Sequence, residues 1–209
     1  MLTGVSPTAD QLANLSRMTS LLSNRKGQIL AHSLWKFFNF QLYCTIRDND
    51  GEPSTHRIEL PDEVGGTAGE QLRIMISLCR SERQEEALVH ELLHANLIPL
   101  GYPKFRIWEA PDSEKWPLAE GITNLADHLV MLPIYLSFGY AEERFLGPCR
   151  PLSDREKHVA VDLERVASEL STPAGYLAEV SAYLRSRGIN FEVVHLAGTI
   201  VRSPPLSLA

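Results

Sequence analysis

The sequence predicts an α+β fold, and three observations carry the prediction: helical apolar spacing at the start, β-type alternation in the middle, and long amphipathic helices in the last third. Leu12, Leu15, Met18, Leu21 and Leu22 recur at helical spacing and predict a first helix over 8–23, with a second over 28–37. Leu42, Tyr43, Thr45 and Ile46, then Ile58 and Leu60, predict two strands around the polar turn Asn49-Asp50-Gly51. Gly65, Gly66 and Gly69 form a flexible connection. They lack both the lysine of a Walker A loop and the G-x-G-x-x-G pattern that cradles phosphate.

Alternation over 72–78 predicts a further strand, and Ser81-Glu82-Arg83-Gln84 has the form of a capping box opening a helix to 96 or 97, before Pro99 and Gly101. A short strand is expected over 104–109. Pro117 then suits the first turn of a helix that Pro133 should end near 132. A second capping box at Ser153-Asp154-Arg155-Glu156 opens a helix to about 170, and Thr172-Pro173 opens another that Gly188 terminates. Together these read as a C-terminal helical hairpin, followed by a β-forming tail over 191–201. The one plausible boundary is the stretch 147–151, which separates a mixed first part, 1–147, from a helical part, 148–209.

A chain of 209 residues with ordinary apolar content can build one substantial core. A net charge of -6 without a long basic run argues against extensive nucleic-acid binding. No signal-like start and no run of about 18 apolar residues is present, so no membrane partner and a cytoplasmic location are expected. Cys44, Cys79 and Cys149 are widely spaced and form no CxxC pair, which predicts reduced thiols rather than a disulfide framework or a thiolate metal site.

The chemistry-bearing segment is His90-Glu91-Leu92-Leu93-His94. Histidines four apart on a helix share a face, so both imidazoles can reach one zinc ion. Glu91, rotated by one residue, can deprotonate a metal-held water and pass that proton to a leaving amine. Ala87, Leu88, Leu92, Leu93 and Ala95 surround the polar triplet, which places the helix against a core. A catalytic zinc needs a third protein ligand. Glu120, Asn124, Asp127 and His128 follow i, i+4, i+7 and i+8 in the helix that starts at Pro117. Glu120 is the first candidate ligand, with Asn124 orienting a ligand histidine from behind, and His128 is the alternative ligand.

With these motifs in place, the segment 72–133 resembles the ImmA/IrrE-type zinc peptidases, a gluzincin-like family. In that family a strand precedes the HExxH helix, and a later helix reads E-x-x-A-N-x-F-A-x-x-L-L-M-P. Here Glu120-Gly121-Ile122-Thr123-Asn124 is followed by Val130-Met131-Leu132-Pro133, with the proline in register. Leu93, Thr123 and Ala126-Asp127 depart from the family pattern. SprT-like proteases are a second relative through His90–Ala95, but the later histidine segment they use has no counterpart over 95–119. The resemblance implies a zincin-like fold: a small mixed sheet, an HExxH active-site helix, a backing glutamate helix and the C-terminal hairpin. It also implies a metallopeptidase acting on a protein or peptide substrate, with transcriptional regulators among the expected targets.

An oxyanion-stabilising group is also expected, for which Tyr102, Tyr135, Tyr140 and His158 are eligible. Trp35, Phe37, Phe38 and Phe40 read as core packing. Two alternatives stay open: a zinc amidohydrolase acting on a small amide, and a metal-stabilised regulatory or binding module without proteolysis, its closed site made by His90, His94, Glu120 and His128.

Overall fold

The computed structural model describes residues 6–47, 57–59, 73–80, 83–110, 112–145 and 154–196. It is mixed α and β, mostly helical, with two small sheets. The chain divides into two compact units, Met1–Asn96 and Leu97–Ala209. The boundary expected at 147–148 lies outside the described residues, as do the Asn49-Asp50-Gly51 turn, the glycine loop, the Ser81 and Ser153 ends of the capping boxes, and Cys149.

The first unit begins with α1 (Ala9–Ser20) and α2 (Arg25–Phe37). Thr8 caps α1 reciprocally with Gln11, satisfying two backbone N–H groups that the first turn leaves without partners. After α2 the chain reverses at Asn39 and Phe40, both at positive φ. Asn39 N–H donates to Lys36 O and Phe40 N–H to Trp35 O, while the Trp35 and Phe40 rings lie 4.5 Å apart. These bonds and the ring contact complete a Schellman ending, with asparagine in the left-handed position it tolerates best after glycine. Trp35 and Phe38 of the aromatic cluster are buried in the core, and Phe37 and Phe40 are half-buried.

Three strands follow, β1 (Leu42–Arg47), β2 (Arg57–Glu59) and β3 (Ile74–Cys79). The hairpin expected between the first two does not form. The order is β1-β3-β2, with β3 parallel to β1 and antiparallel to β2. β3 holds the centre, and its Ile74, Ile76 and Leu78 are fully buried. Leu42↔Ile74 and Cys44↔Ile76 pair, so these apolar residues share one face. The outer edge of β1 is closed by a side chain: Asn14 Nδ2 donates to Leu42 O at 2.8 Å, and Asn14 Oδ1 accepts from Cys44 N–H at 3.1 Å. One carboxamide from α1 thus does the work of a neighbouring strand. Burial pushes the nearby Cys44 thiol up to about 12, which leaves it inert as a nucleophile near neutral pH.

The last helix of this unit, α3 (Gln84–Asn96), packs on β3, on β2 and on α2. Its first turn is tied down by Glu85, whose carboxylate accepts from Ser23 N–H, Ser23 Oγ and Asn24 N–H between α1 and α2.

The second unit contains β4 (Lys104–Ile107), α4 (Lys115–Ser137), α5 (Asp154–Glu164), α6 (Ala167–Leu170), α7 (Pro173–Ser186) and β5 (Phe191–Val194). β4 and β5 pair antiparallel. Two helix boundaries differ from expectation. α4 continues through Pro133 for another turn, because burial of Met131 and Tyr135 on either side outweighs the one backbone bond that the proline removes. The single helix expected over 153–170 is broken after Glu164 into α5 and α6. α7 matches its sequence signals: Thr172 Oγ1 accepts from Gly175 N–H, and Gly188 at φ 63 ends it in a second Schellman pattern with Ile189 N–H donating to Leu184 O. A Cβ at Gly175 would clash with Glu169 O, so only glycine fits where α6 meets α7. α5 and α7 are joined by Tyr183 and Arg187, which both reach Asp162. No helix among the described residues is long and apolar enough to cross a membrane.

Removing the Asn14 carboxamide strands a buried carbonyl and a buried N–H on β1. Asn14→Ala is therefore expected to lower the unfolding free energy by about 2–4 kcal/mol. Urea denaturation of the full chain measures this, and an unchanged midpoint would show that β1 does not need the contact.

Candidate metal centre

α3 is buried on almost every side. Leu88, Val89, Leu92, Leu93 and Ala95 have no exposed surface, and Glu91 and His94 are only 5% and 8% exposed. A helix with such surroundings would ordinarily carry apolar residues throughout, since a buried charge is costly unless compensated. His90 is half-buried one turn before His94, and their ring centroids stand 5.0 Å apart at an interplanar angle of 70°. The expected histidine pair is therefore brought together on α3, with Glu91 between the two in sequence. Burial raises the Glu91 carboxyl above its ordinary range, and the His94 imidazole opposes that rise in part.

The donor set fits a divalent cation on its chemistry. Two imidazoles offer neutral nitrogen, the type of ligand zinc accepts, and a buried carboxylate beside them gains most from a nearby positive charge.

The remaining sequence candidates lie on α4, in the second unit. Glu120 and Asn124 are exposed, Asp127 is buried and His128 is half-buried, its ring 5.3 Å from Phe145 in an edge-to-face contact. The stripe is one row of the helix, open to solvent near its N-terminal end and buried further along, where Met131 and Tyr135 continue it.

Asp127 is fully employed within its own unit. Lys104 Nζ donates to Oδ2 at 2.8 Å and the Tyr176 hydroxyl to Oδ1 at 2.5 Å. Burial first, and then the Asp127 carboxylate, hold the Tyr176 hydroxyl well above the ordinary tyrosine range, so it remains a donor. This buried network is a feature the sequence did not signal, because Lys104, Asp127 and Tyr176 are far apart along the chain.

Of the candidates for oxyanion stabilisation, Tyr102 donates its hydroxyl to Ser171 O at 2.6 Å and packs edge-on against Tyr176. Tyr135 is fully buried and packs on Tyr140 and Phe145, whereas His158 is exposed. Comparison with family models, curated proteins and solved structures finds no match to this chain in any of the three.

The raised Glu91 carboxyl fixes the sign of one pH effect. A carboxyl whose folded-state value lies above its unfolded one costs nothing below the unfolded value, and destabilises the fold progressively as pH rises through the folded value. In protein stripped with a chelator, Glu91→Gln should therefore be more stable than the wild type at neutral pH, and the gap should close as pH falls toward about 4. Thermal melts across that range measure it, and a gap that widens on acidification would contradict the burial argument.

Proposed function

We propose that the chain is a zinc-dependent metallopeptidase whose working groups are His90, Glu91 and His94 on α3. The observation that carries the reading is the burial of Glu91 and His94 among the fully buried Leu88, Val89, Leu92, Leu93 and Ala95 of α3, with His90 one turn before His94. When bound, the ion supplies Lewis acidity, which polarises a carbonyl and makes water acidic near neutral pH. His90 and His94 hold it through neutral ring nitrogens. Glu91 would accept the proton of the attacking water and then deliver it to the leaving nitrogen.

For the third protein ligand, the choice lies between Glu120 and His128, and the proposal takes His128. His128 is half-buried on α4 and offers a neutral imidazole like the two on α3. Glu120 stands at an exposed position of α4. A third histidine would depart from the ImmA/IrrE-type pattern, which uses a glutamate, while keeping the zinc chemistry intact.

The first-unit sheet supports a peptide substrate. Asn14 occupies the outer edge of β1, so an extended chain would add at the outer edge of β2, beside which no strand lies among the described residues. The likeness of 72–133 to ImmA/IrrE-type peptidases favours the same substrate class, with a regulator protein as the target to try first.

Elemental analysis of purified wild type, Glu91→Gln, His128→Ala and Glu120→Ala, combined with a peptide-cleavage assay, tests the reading. Equimolar zinc is expected in wild type, Glu91→Gln and Glu120→Ala, with zinc lost from His128→Ala. Cleavage by Glu91→Gln should fall by about 10²–10⁴-fold. Zinc retained by His128→Ala and lost from Glu120→Ala would transfer the third ligand to Glu120. A wild type that takes up no zinc after reconstitution would sink the metal centre, and a zinc-loaded chain that cleaves no peptide would favour a metal-stabilised binding module.

A further inference from the structure

The second unit carries a groove of about 390 Å³ lined by Leu177, Ala178, Ser181 and Arg185 of α7 and by Val193 and His195 at the end of the β4–β5 ribbon. The ribbon's register shows how it lies. Phe105 pairs with Val193 and Ile107 with Phe191, so these four residues share a face. That face is turned to α7, because the Phe105 ring is 6.1 Å from that of Tyr176 and the Arg185 guanidinium sits 5.5 Å from the Phe191 ring centroid. No β4 residue lines the groove, so it runs along the side of β5 away from β4. There the β5 main chain has no strand neighbour among the described residues.

The charge of the groove is one-sided. Other arginines nearby are engaged: Arg187 with Asp162 and the Tyr183 hydroxyl, and Arg106 with Glu192. Among the described residues no carboxylate pairs with Arg185 or His195, the two polar side chains at the rim, and both are exposed. Leu177, Ala178 and Val193 give the groove an apolar wall, and Ser181 adds a small hydroxyl.

We infer that this groove docks an extended acidic peptide segment, which adds as a third strand to the outer edge of β5. Main-chain hydrogen bonds to β5 would supply affinity independent of sequence, since an edge strand presents its N–H and C=O groups to any extended partner. Alternate side chains of the segment fall on opposite sides of the new strand. Apolar ones meet Leu177, Ala178 and Val193, and carboxylates meet the Arg185 guanidinium and the His195 ring. The groove shares no residue with α3, and its occupancy does not depend on a metal.

Fluorescence anisotropy on the full chain tests this with a labelled peptide alternating glutamate and valine, against a matched peptide alternating lysine and valine. Saturable binding is expected for the acidic peptide and none for the basic one. Arg185→Glu should weaken the acidic peptide by about tenfold or more. Ala178→Trp, which fills the groove from an exposed helical position, should abolish binding while circular dichroism and the melting temperature stay unchanged. Equal binding of the two peptides, affinity untouched by both variants, or displacement by a short oligonucleotide as effective as displacement by unlabelled acidic peptide would each overturn the assignment.

Discussion

The burial of the Glu91 carboxyl inside α3 is the constraint from which the rest of the first unit can be understood. Leu88, Val89, Leu92, Leu93 and Ala95 are sealed from solvent, so the helix cannot slide or roll without exposing a large apolar area. A carboxyl held in that setting is pushed toward its neutral form, and the adjacent imidazole of His94 recovers only part of the loss. Evenly apolar residues would make a more comfortable helix. The arrangement resembles other strained or poorly solvated clusters, where stability is given up at the place where chemistry is done.

Holding α3 still requires a frame, and the frame is built from polar contacts that bridge distant parts of the chain. Glu85 gathers two backbone N–H groups and a hydroxyl from the α1–α2 connection, fixing the start of α3 against the helices before it. At the outer edge of β1, Asn14 takes the place of a neighbouring strand. A three-stranded sheet with both edges open would pair indiscriminately with other chains. Asn14 closes one edge, and among the described residues no strand lies beside the other, at β2.

Legibility in the sequence followed the range of the interactions. His90, Glu91 and His94 were visible because a helical motif is local, and the apolar residues around them announced burial equally well. The ends of α2 and α7 depend on bonds spanning a few residues, and Gly188 gave the second away while Asn39 was less conspicuous. The strand order was not visible. Two strands flanking Asn49-Asp50-Gly51 look like a hairpin, and nothing local shows that β3, the most apolar of the three, displaces one partner and sits between them. Pro133 misled for a similar reason, since its local cost is outweighed by packing around Met131 and Tyr135 that only the folded unit reveals. The Lys104–Asp127–Tyr176 network and the groove beside β5 join residues separated by dozens of positions and left no pattern to read.

Helical periodicity alone could not rank Glu120 against His128, because it assigns both to one stripe, whereas burial along that stripe changes from one end of α4 to the other. The choice matters chemically. A glutamate would contribute a negative charge and leave a divalent ion with a net charge of about one, whereas three neutral imidazoles leave its charge undiminished. The greater residual charge acidifies water more strongly and also stabilises a nearby carboxylate against the effect of burial. A histidine at the third position would therefore compensate the desolvation of Glu91 better than a glutamate would. On the proposed reading, the depth at which Glu91 is buried and the identity of the third ligand would be parts of one electrostatic balance, which neutral ligands would favour.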